Sequence, residues 1–339
     1  MTSQPNSDVD VRGEPAGAAA GQRQDSDTFA KSYRYLRMAM VGLLLCVAAT
    51  VLYQSWRQGF LLGSVSAYYY TPPALALFVG GLIGLGACMI ALKGPPVEDV
   101  FLNLGGVFAA VVAIVPAWRD YEEVVRKCRQ GAGPLLTEKA STGQLDCPTV
   151  QELAAATKAN VENNLTALLV VGAIALLASL VFAWRDGTLN RQADGHAKRT
   201  FWWGFGVAAF LWLAALIARL AFLQWVIEKA HHVATVGLAL CVLVVVLANA
   251  YRVREQSGDV PQVRQSPVRQ SLDAVGELIA VRRHRDWYIW IARLMLLVAL
   301  VTLVLWQIFH LITLFWVEAA VGVFFIVFWT VQTFELESH

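Results

Sequence analysis

The residues of this 339-residue chain best equipped for chemistry gather around one short stretch, GSVSAYYYTPP, Gly63 to Pro73. Ser64 and Ser66 offer hydroxyls, and Tyr68, Tyr69 and Tyr70 offer aromatic faces with phenol groups. Farther along, Arg219 and Glu318 stand inside long apolar runs, and His310 lies near Glu318. An ionisable side chain in such a run is costly in lipid and marks either a site or a fixed pair. Arg219 and Glu318 lie about seven and five residues inside their runs, so at 1.5 Å per residue both sit roughly 8–10 Å deep. Matched depth and opposite charge predict that they pair, with His310, Gln224 and Gln307 close above. Ser64, Ser66, Tyr68, Tyr69, Tyr70, Arg219, His310 and Glu318 are thus the expected lining of an outer-leaflet pocket. The competing reading is plainer: tyrosines as an interfacial aromatic belt, and an ion pair that fixes helix register. If the stretch is extended, Tyr68 and Tyr70 share one side and Tyr69 takes the other, with a hydroxyl aimed at Glu318 or His310.

Other chemistries find less support. The histidines are His196, His231, His232, His284, His310 and His339, and none has a His or Asp four residues on, as a helical metal pair needs. GLIGLG, Gly81 to Gly86, lacks the strand context of a nucleotide loop, and no GxSxG or P-loop is present. No catalytic residue, metal ligand or cofactor is therefore assigned. Cys128 and Cys147 fall in one loop, where a disulfide is expected. Cys46, Cys88 and Cys241 lie singly within apolar runs, as small packing residues do.

The elements that must position these groups follow from composition. The chain is 57% hydrophobic and only 15% charged, with mean hydropathy +0.52. The excess sits in runs of about 20 residues, the length that crosses a bilayer as a helix. Eight runs are read: 37–57, 73–93, 99–118, 165–184, 201–226, 233–250, 288–309 and 313–333. The fold class is an all-α polytopic membrane bundle of about eight transmembrane helices, residues 37–333. Residues 1–36 read as a disordered tail and 334–339 as a short C-terminal one. Small residues at Ala76, Gly80, Gly84 and Cys88 predict the face on which the second helix packs closely.

Lys and Arg are roughly twice as frequent in one set of segments as in the other, which places both termini in the cytoplasm of a plasma-membrane protein. Loop 119–164 then faces outward as a helical hairpin. DYEEVVRKC extends the third helix into it, and Thr149 with Glu152 forms a capping box that opens a helix running into the fourth span. The cytoplasmic loop 251–287 carries an apolar stripe, Val268, Leu272, Val275 and Ile279, on a surface helix. Net charge of +2 and the absence of a basic, aromatic-interleaved surface argue against nucleic acid. The expected partners are membrane lipids and either a membrane protein or a second copy of the chain.

SVSAYYYTPP, FVGGLIGLGACMIALKG and EDVFLNLGGVFA together resemble a family of uncharacterised actinobacterial multi-pass integral membrane proteins, as does FWVEAAVGVFFIVFW near the end. The match covers roughly residues 60–116 and 314–330. The resemblance implies membrane topology in an actinobacterial inner membrane and no particular activity. A more distant comparison is with membrane-embedded metal-dependent hydrolases of the ceramidase and progestin-receptor type, which combine Ser, His and Asp from several helices. It implies an alternative, an outer-face hydrolase using Ser64 or Ser66 with a metal held by His231, His232 and His310. A transporter is the third reading. The leading expectation is a non-enzymatic membrane protein whose outer end holds a lipid, small ligand or partner.

Overall fold

The computed structural model describes residues 16–117, 120–130, 137–138, 145–187, 189, 195–256, 290, 293–298, 301 and 314–335. Helix α1, Ala16–Gln58, begins well before the apolar run that anchors it. The expected disordered tail over 1–36 is thus corrected: 16–36 are helical, and 1–15 lie outside the described residues. Helix nucleation is the costly step, and the membrane run supplies the nucleus. Ala, Gln, Lys and Arg upstream then extend it readily.

A 3-10 helix, Ser66–Tyr70, separates α1 from α2, Pro72–Ala91. Pro72 and Pro73 open α2, where a missing N–H breaks no helical bond. Helix α3, Pro96–Ile114, stops before Pro116, and α4, Asp120–Arg129, starts afresh. The expected continuous extension of the third helix is therefore wrong: proline removes an N–H and crowds the preceding turn. A two-residue ladder, β1 Thr137–Glu138 with β2 Leu145–Asp146, follows. Helix α5, Val150–Arg185, then runs unbroken from the hairpin into the bundle. Its capping box is present: Thr149 Oγ1 accepts the Glu152 N–H at 3.2 Å, and Glu152 Oε2 accepts the Thr149 N–H at 2.8 Å. Cys128 and Cys147 are disulfide-bonded, with Cα atoms 5.9 Å apart.

Helix α6, Gly195–Ala221, and α7, Leu223–Gln256, are divided by the single residue Phe222. The expected boundary near residue 226 shifts, because Gln224, Glu228 and His231 belong to the first turns of α7 and not to a loop. The last described helix is α8, Leu314–Glu335. Seven of these helices are long and apolar enough to cross a membrane. Of the expected run 288–309, residues 290, 293–298 and 301 are helical and the remainder lies outside the described residues, as do 257–287 with the expected surface helix.

One core joins α1, α2, α3, α7 and α8, through residues such as Met40, Phe78, Leu102, Val245 and Phe328. Helices α2 and α3 meet backbone to backbone at Gly86 and Gly106, where a Cβ on either glycine would overlap the other's carbonyl oxygen. This corrects the expected packing stripe: Gly84 does face Leu43, but the space beside Gly80 is open. Helices α5 and α6 pair at the side of the core. The indole of Trp212 lies against Gly172, and its N–H donates to the Leu169 carbonyl at 2.7 Å. Trp56, Trp225 and Trp316 are exposed at one end, and Trp184, Trp202, Trp203 and Trp290 at the other, as headgroup belts require. Trp329 is buried beneath the Arg37 guanidinium, 5.5 Å from the ring centroid.

Candidate functional site

The stretch from Gly63 to Thr71 is the hub where α1, α4, α5 and α8 meet. Its compactness comes from the 3-10 helix, so the extended reading of the tyrosines is corrected. About three residues per turn send Tyr68, Tyr69 and Tyr70 in three directions instead of two. All three are buried. Ser55 on α1 donates its proton to the Val51 carbonyl at 2.7 Å, so the Tyr68 hydroxyl donates to Ser55 Oγ and accepts the Leu62 N–H at 3.3 Å. Tyr70 donates to the Ala117 carbonyl at 3.3 Å and meets Tyr121 edge-on at 6.1 Å between centroids. The polar side chains of Asn160 and Thr157 of α5 lie beside the Tyr69 and Tyr70 hydroxyls respectively. Burial raises both phenols above their ordinary range. Neither Tyr68 nor Tyr70 bonds Glu318, contrary to expectation, because each hydroxyl is taken by a nearer partner.

Arg219 and Glu318 do not pair. Arg219 Nη2 donates to Glu162 Oε1 of α5 at 2.8 Å. The end of α6 at Ala221 explains this: Arg219 stands two residues from the helix terminus, not deep within a run, and faces the neighbouring peripheral helix. Glu318 lies across the bundle on α8. Its Oε2 accepts the N–H of Val65 at 2.7 Å and of Ser66 at 3.3 Å, the free donors at the start of the 3-10 helix. One turn earlier, the Phe315 N–H donates to the Gly63 carbonyl at 2.8 Å.

Ser64 and Ser66 face a second carboxylate that sequence reasoning missed. Asp120, the first residue of α4, accepts hydrogen bonds from Ser64 Oγ and, at 3.0 Å, from Ser66 Oγ. Ser66 Oγ also stands 3.5 Å from Glu318 Oε1, so one hydroxyl lies between two acids from different helices. Burial raises the Asp120 carboxyl above the ordinary carboxylate range. The two serine hydrogen bonds and nearby His232 oppose that, and Glu123 adds to it. Glu123 Oε2 accepts the Gly63 N–H at 3.0 Å, and a Cβ on Gly63 would overlap that carboxylate. A larger residue there would require the Glu123 carboxylate to shift. The signal for Asp120 was the proline break ahead of DYEE, which the reading as a continued helix concealed.

The chemistry of this arrangement is anionic and tightly bonded. Ser64 Oγ donates to Asp120 and accepts the Ala67 N–H at 2.9 Å, and the residue is 1% exposed. It serves as a cap for the turn. His231 sits behind this wall with Nδ1 2.6 Å from the Val115 carbonyl. A carbonyl only accepts, so Nδ1 carries the proton and Nε2 is the acceptor. Among the described residues no three His, Cys, Asp or Glu side chains converge as metal ligands would. His310 lies outside the described residues. No protein-family model, curated protein or solved structure matches this chain.

Proposed function

We propose that this chain is a non-enzymatic multi-pass protein of the plasma membrane, with both termini cytoplasmic, whose outer end holds a ligand bearing a protonated amine. The ligand is a lipid headgroup or a small molecule, seated at Ser66, Asp120 and Glu318. One observation carries the reading: the Ser66 hydroxyl lies between two carboxylates, and among the described residues neither forms a salt bridge with Lys or Arg. Carboxylates held close without a cation favour binding one. The excess of Lys and Arg on the opposite face supports the orientation, and so does the Cys128–Cys147 bond, since disulfides persist in oxidising compartments. The role of Ser64 as a buried cap weighs against its use as a nucleophile.

The test is native mass spectrometry of the protein released from nanodiscs of mixed phosphatidylethanolamine and phosphatidylglycerol. Wild type should retain phosphatidylethanolamine, and Glu318→Gln and Asp120→Asn should lose it. Displacement by free ethanolamine would identify the small amine as the ligand. Equal retention of both lipids, or retention unchanged in the variants together with no ethanolamine binding, overturns the reading.

A further inference from the structure

The polar hub also behaves as a clamp. Four contacts fasten the first interhelical loop to its surroundings. Glu318 of α8 accepts the Val65 and Ser66 N–H groups, the Phe315 N–H reaches the Gly63 carbonyl, Asp120 of α4 takes the Ser66 hydroxyl, and Glu123 takes the Gly63 N–H. A further contact, from Ser66 Oγ to Glu318, competes with the one to Asp120. Ser66 Oγ has one proton, and it cannot be given to Asp120 and Glu318 at once. When both acids are ionised, two like charges face each other across that hydroxyl, and the one not served by it confronts an oxygen lone pair. A single added proton removes the repulsion and supplies the missing donor.

We propose that Asp120 and Glu318 form a proton-sharing pair, and that this proton sets how firmly the Gly63–Ser66 turn grips the last helix. With one proton shared, the clamp is closed; with both acids ionised, it loosens. The titration belongs to the pair and not to either residue. The proposal needs no ligand and so stands apart from the amine-binding reading.

The charged neighbours are few. Glu123 of α4 adds negative charge, and His232 of α7 offsets it. Tyr70 on the 3-10 helix and Tyr121 on α4 are neutral phenols at physiological pH, and His231 of α7 is engaged with Val115. Among the described residues, no Lys or Arg forms a salt bridge with either acid. The sign follows from Asp120, whose carboxyl is raised by burial. A raised group stabilises the folded arrangement fully below its ordinary value, and that contribution is lost as pH rises through the raised value. Acid closes the clamp and base opens it.

The experiment is hydrogen–deuterium exchange on the full chain in detergent free of amine lipids, from about pH 5 to about pH 8, with rates corrected for intrinsic exchange. Protection of the amides of residues 63–67 and 315–318 should fall about tenfold across that range in wild type, as the pair loses its shared proton. Asp120→Asn carries no charge and can donate, so its protection should stay high and flat. Ser66→Ala, which removes the bridging hydroxyl, should lower protection at both ends. Because the His232 ring lies close enough to Asp120 to act on its charge, His232→Gln must keep the pH dependence. A flat wild-type profile overturns the proposal even if the variants fail to fold. So does a dependence that persists in Asp120→Asn, or one that vanishes in His232→Gln alone.

Discussion

Glu318 Oε2 accepts the Val65 N–H at 2.7 Å, across 253 positions of sequence, and so ties the last helix to the first interhelical loop. The bond makes a carboxylate from a distant helix a second cap of the 3-10 helix, beside the local one from Ser64 Oγ. Glu318→Ala should therefore strand two backbone donors, each costing about 1–3 kcal/mol when buried. Glu318→Gln keeps an acceptor and should cost clearly less. Denaturant unfolding in detergent micelles measures both, and equal losses would show that the side chain does not cap the turn.

Arg219 and Glu162 form a pair whose side chains keep 19% and 45% of their exposure. A partly exposed pair contributes about 0–1 kcal/mol. A double-mutant cycle on Arg219→Ala and Glu162→Ala should give a coupling in that range. The same cycle on Arg219 and Glu318 should give none. Coupling of several kcal/mol between Arg219 and Glu318 would reverse the correction made from the structure.

Tyr70 is buried, and its hydroxyl donates to Ala117. Burial raises its phenol well above the ordinary value near 10. A raised phenol favours the folded state below its ordinary pKa, and the benefit is lost as pH rises through the raised one. In an alkaline absorbance titration, wild type and Tyr70→Phe should show equal phenolate signal until the protein unfolds. A tyrosine signal near pH 10 that disappears in Tyr70→Phe would place this ring in water.

The Cys128–Cys147 bond closes a segment with sequence separation 19, which corresponds to about 3 kcal/mol in the chain-entropy model. Reduction should speed amide exchange in α4 and in the first turns of α5. The bundle's thermal transition should move little, since α5 packs onward through Val161, Leu165 and Leu169. Collapse of the whole transition on reduction would make the hairpin essential to the bundle.

Gly86→Ala sets a methyl group against the Gly106 carbonyl, and overpacking of this kind costs about 1–3 kcal/mol. Gly80→Ala meets open space and should be neutral or slightly stabilising, since alanine is the better helix former. Thermal stability in detergent separates the two, and similar losses would remove the argument for close α2–α3 contact.

The amino-acid sequence determined the helices. In lipid a backbone must satisfy its own hydrogen bonds, so an apolar run long enough to cross has one regular solution, and Thr149 with Glu152 marked a helix start that the structure keeps. The pairing of Cys128 with Cys147 was legible for a similar reason, because two thiols in one loop have few other partners. Tertiary structure decided which polar groups meet. Depth along a helix can be counted from the sequence, but rotation about its axis and the identity of its neighbour cannot. Arg219 and Glu318 matched in estimated depth and charge, yet α6 packs beside α5 while α8 packs beside α1. The tyrosine stretch looked extended by composition and coils because its hydroxyl and amide partners are Ser55, Ala117, Asp120 and Glu318. These lie 13 to 253 positions away, and no local pattern encodes contacts at that range.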